Sequence, residues 1–103
     1  MPIVQQILID RIIDFVDNLA QGGKVKINGS YLDYKEIRTS RSKNIIRKYI
    51  YLYDLADETL GTVQEAQLIG VNNEVLAIKP YDIKIDKNGI VLAFEIKIDV
   101  TEV

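Results

Sequence analysis

Residues 12–29 read Ile-Ile-Asp-Phe-Val-Asp-Asn-Leu-Ala-Gln-Gly-Gly-Lys-Val-Lys-Ile-Asn-Gly, and the spacing of the apolar residues changes inside them. Upstream of Gly22, apolar side chains stand at Ile3, Val4, Ile7, Leu8, Ile12, Phe15, Val16 and Leu19. Intervals of three and four put these on one stripe of a helix over 3–20. Gln5, Gln6, Asp10, Arg11, Asp14, Asp17 and Asn18 fall mostly on its other faces. Pro2 suits a first helical turn, and Gly22-Gly23 is a stop signal. Ile9 and Ile13 widen the stripe beyond what one contact surface needs, so the helix is either deeply packed or shared with a partner. Downstream the period is two: Lys24-Val25-Lys26-Ile27 alternates, and Asn28-Gly29 is the strongest short hairpin signal.

Period two then governs most of the chain. A return strand runs through Tyr31, Leu32 and Tyr34 towards Ile37. Residues 38–44 carry no large apolar side chain and read as an exposed loop. Ile45–Tyr53 sets Ile46, Lys48, Ile50 and Leu52 against Ile45, Arg47, Tyr49, Tyr51 and Tyr53, and three tyrosines at spacing two favour a strand over a helix. After a polar connection over 54–61 come a strand at 62–69, a turn at 70–73, a strand at 74–79 and an alternating segment at 81–86. Pro80 cannot donate to a ladder, so it marks a break or an edge. Beyond a Lys87-Asn88-Gly89 turn, Ile90, Leu92, Phe94, Ile96, Ile98 and Val100 share one face of a last strand. The opposite face holds Val91, Ala93, Glu95, Lys97 and Asp99. One face buried and one wet is the pattern of an antiparallel sheet. The expected fold class is α+β: one domain over 1–103, with an N-terminal amphipathic helix packed on an antiparallel β-sheet of five to seven strands.

Composition narrows the chemistry. At 103 residues, 48% apolar and 27% charged, the chain has the size and balance of one globular domain. Its apolar content leans on 17 isoleucines and six tyrosines, with no tryptophan. Cysteine and histidine are both absent. Disulfides, thiolate nucleophiles, zinc–thiolate sites and histidine-based catalysis go with them. No enzymatic machinery, cofactor, resident metal or small-molecule substrate is expected. Asp10, Arg11, Asp14 and Asp17 interrupt the first apolar stretch, which therefore reads neither as a signal peptide nor as a membrane span of about 18 uninterrupted apolar residues. A protein made in the cytoplasm and remaining soluble is expected.

Charge is unevenly placed. Residues 1–23 carry Arg11 against Asp10, Asp14 and Asp17, net −2; residues 24–53 carry eight basic against two acidic side chains, net +6; residues 54–103 carry four against ten, net −6. Two readings follow. Neighbouring elements can carry complementary charge and pair weakly. Alternatively, opposite patches on different surfaces steer copies into head-to-tail contact, a heterologous association that builds rings or tubes. Arg38, Arg41, Lys43, Arg47 and Lys48, followed by Tyr49, Tyr51 and Tyr53, also have the make-up of a nucleic-acid contact, cations for phosphates and tyrosines for bases. The acidic whole chain, pI about 5.1, counts against that. Asp86-Lys87-Asn88-Gly89 opens like a calcium loop, but Ile90 and Lys97 stand where further oxygen ligands belong, so it reads as a hairpin turn. Asp54, Asp57 and Glu58 have the oxygen ligands for a divalent ion, but a polar surface loop explains them as well and is the reading kept.

The order Val63-Gln64-Glu65-Ala66-Gln67-Leu68-Ile69, a turn at Gly70-Val71-Asn72-Asn73, Glu74-Val75-Leu76-Ala77, and a long closing strand resembles small tail-associated structural proteins of phages and prophages. The likeness covers about 40 residues, 62–100, and leaves out the N-terminal helix and the Asn28-Gly29 hairpin. It implies assembly into a tail or virion part by self-association or docking, with a homo-oligomer or other virion components as partners. On that reading Arg38, Arg41, Lys43, Arg47 and Lys48 form one contact surface and Asp54, Asp57 and Glu58 its acidic counterpart. The other reading is an accessory nucleic-acid-binding or regulatory module that uses the basic 38–48 segment.

Overall fold

A computed structural model describes residues 5–35, 37–53, 61–86 and 88–101. Among these described residues one helix and seven strands follow in order: α1 (Gln6–Leu19), β1 (Ala20–Ile27), β2 (Ser30–Tyr34), β3 (Arg38–Ser42), β4 (Ile45–Leu52), β5 (Thr62–Gly70), β6 (Val75–Lys84) and β7 (Ile90–Lys97). Every strand pairing is antiparallel. The helix and the antiparallel strands match the expectation; their arrangement does not. The strands form two sheets, ordered β2-β1-β5-β6 and β3-β4-β7. What covers the first sheet is mainly the second sheet. Val25, Ile27, Val63, Ala66 and Leu68 from one meet Ile50, Leu52, Leu92 and Phe94 from the other in a single buried cluster. Two half-wet sheets can bury their apolar faces only against something, and each supplies the other with a matching face. Fully burying such a side chain stabilises by about 1.5–3 kcal/mol.

The helix takes a smaller share. It packs against β1 and β4, and Ile13 is its one buried residue. The stripe expected to face the core is therefore only partly covered. Ile13, on the side that seemed surplus, goes in; Ile7, Leu8 and Phe15 stay out, at 58%, 46% and 68% exposure. The second sheet already occupies the position a core helix would take.

Local signals explain several joins. Asn28 and Gly29 both adopt positive φ, 51° and 85°, the backbone of a two-residue turn between β1 and β2. Gly22-Gly23 coincides with the end of the helix for a different reason than a stop signal: both glycines lie inside β1. A Cβ on Gly23 would come within 2.6 Å of Ile50 Cδ1, so the missing side chain lets the two sheets approach. Residues 38–42, read as a loop, are strand β3, exposed along its whole length. It needs no apolar residues because it is an edge strand whose bond partner is β4. Pro80 does not break β6, which runs through it; β6 is an edge strand, where a missing N–H is tolerated. At the start of the β6–β7 connection Asp86 accepts the Asn88 N–H at 2.8 Å, a turn contact as expected.

The molecule is elongated. Its principal extents are 57 × 26 × 21 Å and its radius of gyration is 16.0 Å, against about 13 Å for a compact chain of this length.

Candidate interaction surfaces

Strand alternation divides the basic segment that sequence alone groups together. In β3 and β4, Thr39, Arg41 and Lys48 fall on the side covered by the helix; Arg38, Arg47 and the tyrosines fall on the other. The two halves have different fates.

On the helix side the cations are used internally. Lys48 is 1% exposed, and its Nζ donates to Asp17 Oδ1 at 2.5 Å, to the Asp17 carbonyl at 3.2 Å and to Thr39 Oγ1 at 2.8 Å. A buried ammonium needs such partners to offset its lost hydration. Arg41 reaches Asp14 at 2.8 Å and Asp17 at 3.8 Å. The helix acids thus neutralise the strand cations, which locates part of the +6 and −2 segments against each other inside one chain. Lys48 is a structural residue and does not belong to a contact surface. Lys43 occupies the β3–β4 turn at φ 34°, with its carbonyl accepting from Gln6 Nε2 at 3.0 Å.

On the outer face, Tyr49, Tyr51 and Tyr53 form a row with ring centroids 6.3 and 5.8 Å apart. The Arg38 guanidinium lies 5.0 Å from the Tyr51 ring centre, a cation–π arrangement. Arg47 pairs with Glu95 of β7 at 3.5 Å. Arg38 and Arg47 are therefore the members of the basic segment that this wet aromatic face presents. Asp54, Asp57 and Glu58 lie outside the described residues.

Two further surfaces stand out, the first raised by the sequence as a face shared with a partner and the second missed by it. The first is the apolar outer face of α1, with Ile7, Leu8 and Phe15 uncovered. Its signal was the width of the stripe. The second is an open cleft of about 750 Å³ where Gln21–Lys24, Asp33–Lys35 and the β5–β6 turn meet. Gly22, Gly23 and Gly70 are among the residues that line it, and its Lys24 and Asp33 answer each other at 3.8 Å. Burial pushes the Tyr34 phenol there above its ordinary value. Tyr31 is raised as well, chiefly because its hydroxyl donates to Glu65 at 3.0 Å.

Among the described residues no group of three or more acidic side chains is placed to hold a metal ion, and no helix is long and apolar enough to cross a membrane. No family model, curated protein or solved structure matches the chain.

Proposed function

We propose that this chain is a non-enzymatic structural or assembly protein that works by protein–protein association, the role implied by its resemblance to phage and prophage tail-associated proteins. A homo-oligomer or another virion component is the partner, and a virion or its assembly intermediate is the setting. The observation that carries this reading is the uncovered face of α1. A phenylalanine 68% exposed, with an isoleucine and a leucine beside it on the same helix, keeps apolar surface in water unless a partner covers it. The elongated shape adds support, since it leaves more surface per residue for contact.

Light scattering on a size-exclusion column tests it: a mass above that of one 11.7 kDa chain is expected, rising with concentration. An apolar contact should survive added salt, whereas contact through opposite charge patches should weaken. A strict monomer at high concentration would contradict the proposal.

The tyrosine row with Arg38 favours one second reading, an accessory nucleic-acid-binding module. Rings about 6 Å apart on a wet sheet face can stack on bases while an arginine holds phosphate. Binding of a mixed oligonucleotide at low salt, lost at moderate salt and lost in Tyr51→Ala, is its expected signature. No binding at low salt removes it.

A further inference from the structure

Four edge strands bound the two sheets, β2 and β6 on the first and β3 and β7 on the second. An edge presents unpaired N–H and C=O groups to which a further strand can add, and shortness, charge or proline is the usual protection. β2 and β3 are five residues long, β3 carries Arg38 and Arg41, and β6 contains Pro80 between Lys79 and Lys84. β7 is less protected. It has eight residues, no proline, no bulge against β4, and only apolar side chains over Ile90–Phe94.

The ladder fixes which groups of β7 face outward. The Ile98 N–H donates to the Asn44 carbonyl at 2.7 Å, so the pair one step beyond Ile45 and Lys97 is a bonded one. Bonded and non-bonded pairs alternate along antiparallel strands. Ile96, Phe94 and Leu92 therefore exchange bonds with β4, while the N–H and C=O groups of Val91, Ala93 and Glu95 point to the free side. Among the described residues one side chain hydrogen-bonds to these groups. Lys79 stands opposite the fully buried Ala66 in the β5–β6 ladder, on the side of the first sheet that faces the second. Its Nζ crosses to the second sheet and donates to the Ala93 carbonyl at 3.3 Å, the middle one of the three, while lying 5.4 Å from the centre of the Tyr81 ring.

We infer that Lys79 is an edge guard: it occupies the Ala93 carbonyl and keeps β7 closed to strand addition, and the strand it excludes is β7 of a second copy of this chain. The inference goes beyond the association reading, which concerns α1. The register of the excluded pair follows from the outward groups. With Ala93 opposite Ala93 across a two-fold axis, Val91 of each copy faces Glu95 of the other, and all three residues find bonded partners. The same edge serves both copies, as an isologous contact requires. Centring the pair on Glu95 would set like charges opposite each other. Centring it on Val91 would leave Ala93 and Glu95 facing residues that precede the strand. In the Ala93 register the two Lys79 ammonium groups meet at the axis, where they repel each other and each loses its carbonyl.

Lys79→Met keeps the side-chain stem and removes both charge and donor. It is made in Phe15→Glu, so that the parent reports on the α1 reading and the difference between the two proteins reports on the guard. Sedimentation equilibrium should show Phe15→Glu/Lys79→Met moving towards two chains at a concentration at least about tenfold below any at which the parent does so. In amide hydrogen exchange, the Val91, Ala93 and Glu95 amides should be fast in the parent and protected in the associated variant. Adding Ala93→Glu, on the wet face of β7, places two glutamates across the axis and should return the mass to that of the parent. An unchanged mass after Lys79→Met would overturn the guard. A gain in mass that survives Ala93→Glu, or that leaves those three amides fast, would overturn β7 as the guarded surface. Association persisting in Phe15→Glu alone would count against the α1 reading and leave this comparison intact.

Discussion

Replacing Asp17 with alanine should be among the most destabilising single changes in this protein, although Asp17 lies on a surface helix. The change leaves Lys48, 1% exposed, without its carboxylate. Breaking a buried pair by removing one partner costs about 3–5 kcal/mol, because a charge is then stranded away from water. Two features place the cost at the lower end. The Asp17 carbonyl and Thr39 Oγ1 both remain bonded to Nζ, and the Asp17 side chain is 27% exposed, so water reaches the gap. About 3 kcal/mol is expected, or a fall in Tm of about 12 °C or more. Lys48→Met should behave differently: it removes the buried charge, leaves Asp17 partly hydrated beside Arg41, and should cost less than about 1 kcal/mol or stabilise. The double variant should resemble Lys48→Met alone. Urea unfolding followed by circular dichroism measures all three and closes a double-mutant cycle. A loss below about 1 kcal/mol for Asp17→Ala, or additive effects of the two changes, would refute the reasoning.

Three further outcomes follow from particular contacts. Gly23→Ala should cost about 1–3 kcal/mol by urea unfolding, since its Cβ meets Ile50 Cδ1 between the sheets. Arg47→Ala should change stability by less than about 1 kcal/mol in the same assay, because its pair with Glu95 is largely solvated. Tyr34 should make stability fall with rising pH. Burial raises its folded-state pKa above the ordinary 10.0, so the unfolded chain loses that proton first. The contribution is therefore fully present below about pH 10 and lost as the pH climbs through the raised value. Urea midpoints measured from pH 9 upward should decline less steeply in Tyr34→Phe.

Much of the strand content was legible because alternation is a property of single segments. Ile90–Ile96 and Ile46–Leu52 bury the faces their spacing gives them, and Asn28-Gly29 turns where its backbone preference says. What alternation does not encode is which strand meets which. Splitting into two sheets depends on contacts such as Gly23 to Ile50 across the sandwich, distant in sequence. Strand β3 was hidden because an exposed edge needs neither apolar residues nor alternation. Lys48 was misjudged although its signal was present. It stands in register with Ile46, Ile50 and Leu52, and a cation in an apolar register is either paired or excluded. The partner, Asp17, is 31 residues away, on an element whose placement sequence spacing does not give. The helix stripe was read correctly as wider than one contact surface, but the side that goes inward follows from where the second sheet leaves room.

Sedimentation equilibrium of the wild-type chain beside Phe15→Glu tests most directly whether the outer face of α1 holds copies together. The wild type should show a mass rising with concentration towards two chains, and the variant should stay near one at every concentration while keeping its β-rich circular dichroism spectrum. Equal masses for the two proteins across the concentration range would contradict the claim.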